Sequence, residues 1–235
     1  MTTLQKQKRP DTRRISLAAV LAASAALISI SGLSVPFPLM PFLRFDAAEI
    51  PDALAFLLLG PSGGLAVTTI HWLMLNLSAS FDPVIGPTMK FMAVFATMLG
   101  MYIGSLFVSS NFSSRRNYSY LLVWGTILRF IIMIPVTFVL YYIIFPSTYL
   151  SFASQALRAI GIDVTGALAI AIIVTLITGL FNIIHAIITI TGSWIIYRGV
   201  QKSGALNYSL NWIGGQMKMQ YSSKEIDGRD SEKPA

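Results

Sequence analysis

Six apolar stretches run through the chain, and they limit its fold more than any other feature. They cover residues 15–33, 47–59, 65–79, 88–108, 118–145 and 164–197. The hydrocarbon core of a bilayer takes about 20 apolar residues per helix. The last two stretches exceed that length, which predicts tilt or extension beyond the bilayer. The second and third fall short. Between them lie Gly60, Pro61, Gly63 and Gly64, a breaker cluster that predicts two helices joined by a tight turn. Only 11% of the residues are charged and 54% are hydrophobic, whereas a soluble domain has about 25% charged residues. The predicted fold is all-α, an integral membrane six-helix bundle built as one domain. The absence of cysteine excludes disulfides and thiolate chemistry.

The charges orient this bundle. With the N-terminus in the cytoplasm, thirteen of the seventeen lysines and arginines fall on the inner side. They are Lys6, Lys8, Arg9, Arg13 and Arg14, then Arg115 and Arg116, then Arg198, Lys202, Lys218, Lys224, Arg229 and Lys233. Arg44, Lys90, Arg129 and Arg158 are left outside or within the bundle. That bias predicts two cytoplasmic termini and a multi-pass protein of the plasma membrane. The net charge of +7 is accounted for in this way, so nucleic acid is not an expected partner. The chain divides into a basic N-terminus (1–14), a membrane domain (15–200) and a polar tail (201–235) whose composition predicts disorder.

One stretch breaks the apolar pattern. "FLRFDAAEIPDALAFLLLGP", residues 42–61, holds Arg44, Asp46, Glu49 and Asp52 at the entry to the second helix. A charge at the bilayer centre costs about 2.5–3.5 kcal/mol, so these groups are expected at the outer interface or in a watered cavity. One reading makes Asp46 the N-cap of the second helix and Glu49 its capping-box partner. The other gives the acids to a ligand, with Arg44 able to pair with either. The preceding loop, "SGLSVPFPLMPFL", is too apolar for an ordinary solvent loop. It is read either as a lid supplying Phe37, Phe42 and Leu43 to a flat ligand or as a loop packed on the helix ends.

Other polar residues sit inside apolar helices. Asn182 and His185 are three apart and share a face, suited to helix–helix hydrogen bonds or to a ligand. Arg129 lies mid-helix and needs an internal salt bridge or an anionic ligand group. Lys90 either snorkels to the interface or meets a phosphate or carboxylate. Trp72, Trp124 and Trp194 suit interfacial belts, with His71-Trp72 the pair to test for stacking. Ala18, Ala22 and Ala26, and also Ala19 and Ala23, have the small-xxx-small spacing that lets another helix approach closely. The chain holds two histidines and no carboxylate at a suitable spacing, so no metal site is expected. There is no P-loop, H-E-x-x-H or G-x-S-x-G motif, and no catalytic constellation.

Several stretches carry a resemblance. Arg44, Phe45-Asp46, Ala48-Glu49, Ile50-Pro51 and Gly60-Pro61 resemble the second-helix entry of the substrate-binding S-components of energy-coupling factor (ECF) vitamin transporters. "LAAVLAASAAL" is similar to their alanine-rich first helix. "GTILRFIIMIPVTF" and "GLFNIIHAIITITGSWIIYR" are similar to the fifth and sixth helices of the riboflavin-type branch. The likeness covers about residues 12–200. It implies a subunit that captures a vitamin at the external face, with riboflavin or a related flavin first, and contacts from Asn182, His185, Thr137, Lys90, Phe42, Leu43, Arg44 and Asp46. Thr137 stands near a ligand-contacting asparagine of that branch, and His185 replaces its lysine. The alanines of the first helix are implied to dock a transmembrane coupling subunit joined to two ATPases. ATP would then act only through those partners, with no cofactor intrinsic to this chain. The alternatives are an S-component for another vitamin, a solitary transporter, or an intramembrane enzyme using Asp46, Glu49 and His185. The last is disfavoured because the topology sets His185 apart from the acids.

Overall fold

The computed structural model describes residues 12–78, 84–109, 114–204 and 211–216. Its elements are α1 (Thr12–Ile30), a hairpin of β1 (Ser34–Phe37) and β2 (Met40–Asp46), α2 (Glu49–Leu59), α3 (Pro61–Ser78), α4 (Ile85–Ser105), α5 (Ser114–Phe138), α6 (Pro146–Ala159) and α7 (Ala167–Lys202). The six apolar stretches correspond to α1–α5 and α7. The expected six-helix, all-α architecture is corrected by the hairpin and by α6.

The hairpin occupies the proline-rich loop. Its strands pair antiparallel, Val35 with Phe45 and Pro36 with Arg44, and the register shifts after Pro36. Proline lacks the donor that a ladder needs, so a short edge strand suits it. No bilayer-length apolar run marks α6, because the helix is amphipathic. Its signals are Pro146 at the first position and the spacing of Tyr149, Ala153, Ala156 and Leu157, which pack inward.

Three helical segments are long and apolar enough to cross a membrane among the described residues: Thr12–Ile30, Ser114–Ile144 and Ala167–Lys202. With 36 residues, α7 is about 54 Å long at 1.5 Å per residue and overshoots a core of about 30 Å. In contrast, α2 has 11 residues, about 16 Å of helix, and does not cross by itself. Ten of its eleven residues are buried, which explains how a short element carries two acids: neighbours surround it on every side. Gly60 ends it with φ +85°, and α3 starts at the next residue. Pro135 lies inside α5 and deprives that helix of one ladder bond. The chain then widens into a π turn over Val139–Ile144, which buries Leu140 and Tyr141.

The tightest helix pair is α4 with α5. Cβ atoms at Gly100 or Gly104 would run into the Trp124 and Tyr120 carbonyls of α5, so these glycines set the approach. At one end of the bundle Arg14 donates to the Leu59 carbonyl at 2.5 Å. Part of the tail packs at that same end. The Tyr197 hydroxyl donates to Asn211 at 2.8 Å, Trp212 lies edge-on to Phe56, and Ile213 is fully buried. The disorder expected over 201–235 is therefore corrected for 211–216, and also for 201–202, where α7 continues to Lys202. The rest of the tail beyond 204, and residues 1–11 of the basic N-terminus, lie outside the described residues.

Candidate functional site

The opposite end of the bundle holds a cavity of about 700 Å³. Its polar floor is organised by Arg129, which projects from α5 and is 1% exposed. The guanidinium spans Glu49 in a bidentate pair, Nη1 to Oε2 at 2.5 Å and Nη2 to Oε1 at 3.1 Å. Its Nε donates to Asn182 Oδ1 at 3.0 Å, and its remaining contacts are Thr97 Oγ1 and His185 Nδ1, each at 3.4 Å. The fork geometry of arginine suits such simultaneous contacts. One side chain thus joins α2, α4, α5 and α7. Breaking a buried pair of this kind leaves an uncompensated charge, which fixes these helices relative to one another.

The α7 residues follow from helical spacing. Asn182, His185 and Thr189 lie three and four apart on one buried face. Thr189 donates to Glu49 Oε2 at 3.1 Å, and the Asn182 amide donates to the Thr178 carbonyl at 3.0 Å. The His185 Nε2 contacts the Asp46 carbonyl at 3.1 Å, and a carbonyl only accepts. The proton therefore sits on Nε2, and Nδ1 is left to accept from Arg129.

A second ion pair stands beside the first. Lys90 Nζ is 2.7 Å from Asp46 Oδ2, and Asp46 Oδ1 accepts from the Ala48 amide at 3.0 Å. This corrects the capping reading. The N-cap of α2 is Ala48 and has no side-chain cap, while Glu49 points into the bundle at Arg129. Asp46 belongs to the end of β2 and ties the hairpin to α4. Asp52 is not at an interface either: it is fully buried and pairs with His71 at 2.8 Å. Of the four charges, Asp46 and Glu49 line the cavity, Asp52 lies in the core, and Arg44 is exposed on the hairpin, where its Nε donates to Ser34 Oγ at 2.7 Å.

The other walls are apolar and aromatic. Phe42 and Leu43 come from the hairpin, Met89 from α4, Met133 from α5 and Tyr149 from α6. Tyr141 stacks on Tyr149 with ring centroids 4.9 Å apart and meets Phe42 edge-on. Phe45 stacks on Phe181 at 4.7 Å, and Phe181 lines the cavity. Phe37 does not line it; buried under the hairpin, it packs edge-on against Phe45. The hairpin and α6 together roof the cavity.

All eight residues singled out for ligand contact, Asn182, His185, Thr137, Lys90, Phe42, Leu43, Arg44 and Asp46, line this one cavity. Residues that sequence reasoning missed are Thr97, Thr178, Thr189, Tyr141 and Tyr149. Thr97 and Thr189 meet partners far along the chain, and only the buried arginine hinted that polar groups must gather around it. The expected separation of His185 from the acids is corrected: His185 Nδ1 is 3.6 Å from Glu49 Oε1.

Other expectations change as well. His71 and Trp72 diverge, the first bonding Asp52 and Ser29 and the second donating to Thr88 at 3.2 Å. Trp194 is buried against Tyr197 and Tyr118 rather than placed in a belt. On α1, Ala22 and Ala26 are buried against the chain's own helices and Ala18 is half-buried, so this stripe is not free to dock a partner. Ala19 and Ala23 face outward.

Comparison with known proteins gives three consistent results. A family model described as "ECF transporter, substrate-specific component" matches residues 13–197. The protein from Staphylococcus aureus (strain TCH60) named riboflavin transporter RibU is 27% identical over 198 residues, covering 84% of this chain and 95% of that protein. A solved structure reported as the S component of a bacterial ECF transporter superposes with a TM-score of 0.53 at 22% identity, covering 83% of this chain and 96% of that one.

Proposed function

Because this chain belongs to the family of ECF transporter substrate-specific components, we propose that its cavity captures riboflavin or a related flavin for import. The observation that carries the reading is the cavity itself. About 700 Å³ of space lies within the range of small-molecule sites, with aromatic walls for a planar ring and a paired polar floor for orientation. Binding sits at the external face, beneath the hairpin and α6. The other end bears Arg13, Arg14, Arg115, Arg116, Arg198 and Lys202 and faces the cytoplasm, which puts both termini inside. The chain needs no cofactor of its own. A transmembrane coupling subunit and two ATPases supply ATP-driven release, and docking uses the outward stripe of Ala19 and Ala23 on α1.

The test is a titration of the detergent-purified protein with riboflavin, followed by quenching of flavin fluorescence. Saturable binding with one ligand per chain is expected. No binding of riboflavin together with saturable binding of another vitamin would support the second reading, an S-component for a different ligand. The observation favouring that reading is His185, which stands where the riboflavin-type branch has lysine. Capture of ATPase subunits from membranes, lost on Ala23→Trp, separates an energised importer from a solitary transporter.

A further inference from the structure

A chain of side-chain contacts leaves the cavity and ends in the core. Asp46 and Lys90 line the cavity. The Lys90 ammonium also reaches Ser29 Oγ on α1 at 2.7 Å. Ser29 Oγ is 3.0 Å from His71 Nε2 on α3, and His71 Nδ1 is 2.8 Å from Asp52 Oδ2 on α2. Five side chains from five elements are linked in one path. Ligand contact alone accounts for neither His71 nor Asp52, which are 2% and 0% exposed.

The chemistry gives the path a direction. An ammonium only donates, so Ser29 Oγ accepts from Lys90 and turns its own hydrogen toward His71. The Asp52 carboxylate only accepts, so His71 carries its ring proton on Nδ1, and the bare Nε2 of the neutral ring takes the Ser29 hydrogen. Every donor points from the cavity toward Asp52. The other charged groups nearby are Asp46, which holds Lys90, and Glu49, one turn before Asp52 and neutralised by Arg129. Rotating or removing the Lys90 ammonium frees the Ser29 hydroxyl to turn and so changes the donor that His71 Nε2 meets.

We propose that Ser29, His71 and Asp52 are positioning residues for the ligand cavity: they hold the Lys90 ammonium at its wall and carry any change at Lys90 to α1 and α3. The ligand arm of this proposal rests on the function proposed above, whereas the relay itself does not. It ties the site to the helix whose outer face bears Ala19 and Ala23, so that occupancy of the cavity is felt on that helix.

The chain has two histidines, so imidazole 15N NMR of the full-length protein, labelled with 15N-histidine in lipid nanodiscs, reads the relay directly. His71→Gln assigns the signals. The ligand-free wild type is expected to show His71 with its proton on Nδ1, and Lys90→Met or Ser29→Ala is expected to move the His71 signals. A His71 protonated on Nε2 overturns the proposal. So does a His71 spectrum indifferent to both variants, and the wild-type tautomer decides the matter even where a variant fails to fold. Riboflavin is then added. A shift at His71, with about tenfold weaker riboflavin binding by Asp52→Asn, is expected from loss of one charge-assisted bond. If riboflavin does not bind at all, the flavin assignment falls, and the ligand-free spectra still decide the relay.

Discussion

Replacing Glu49 with glutamine tests the organisation of the cavity floor most directly. The side chain keeps its shape and loses its charge. Arg129 uses its donors on Asn182, Thr97, His185 and both oxygens of Glu49. Glutamine has one acceptor oxygen where the carboxylate has two, so one guanidinium donor is orphaned, at about 1–3 kcal/mol. The amide of the new residue also points a donor at Arg129 or at Thr189. Loss of one partner from a buried ion pair costs about 3–5 kcal/mol in total. Water in the adjoining cavity solvates part of the freed charge, so the lower end, about 3 kcal/mol, is expected. At about 2–4 °C per kcal/mol for a chain of this size, the midpoint falls by about 6–12 °C. The assay is thermal unfolding of the ligand-free protein in one detergent, followed by tryptophan fluorescence. Glu49→Leu combined with Arg129→Met should recover most of the loss, because an apolar pair of similar volume replaces a buried ion pair at little cost. A midpoint within about 2 °C of wild type for Glu49→Gln alone would refute the hub.

Other substitutions separate the remaining features. Gly100→Val should destabilise by more than the about 1–3 kcal/mol usual for overpacking, since the new Cβ meets the Trp124 carbonyl and backbone cannot rotate aside; the same thermal assay checks it. Ile213→Ala should cost about 2 kcal/mol, the low end for a buried aliphatic truncation, because the tail segment can detach instead of enclosing a void. Ala26→Trp should lower the midpoint whether or not a partner is present, whereas Ala23→Trp should leave it unchanged and abolish co-purification of a coupling subunit.

The helices α1–α5 and α7 were legible because hydropathy reports burial or lipid contact, and both favour the same residues. Boundaries and additional elements were not. The hairpin came from a stretch with three prolines and no strand alternation, and its pairing depends on the packing of Phe37 and Phe45 beneath it. In α6, Ala153 and Leu157 are buried while Ser151 and Phe152 are exposed, so no continuous apolar run marks it. Composition also misled in the tail, where Trp212 and Ile213 dock beside Asn211 within a polar stretch.

The site was legible by residue type and illegible by pairing. A lone arginine in an apolar helix demands a partner, and the acids before α2 were the available anions. Nothing local to residue 129 selects Glu49, 80 positions away, over Asp46 or Asp52. Packing makes that choice. The turn at Gly60 ends α2, Gly100 and Gly104 bring α4 against α5, and the face of Asn182, His185 and Thr189 closes around the Arg129–Glu49 pair. Once Arg129 holds Glu49, Lys90 is left for Asp46 and His71 for Asp52, and the two cations of the floor, Arg129 and Lys90, each meet one carboxylate. Such a floor presents no uncompensated charge on Arg129 or Lys90, so a ligand bound there gains from hydrogen bonds and aromatic contact more than from ion pairing. A neutral flavin satisfies that condition.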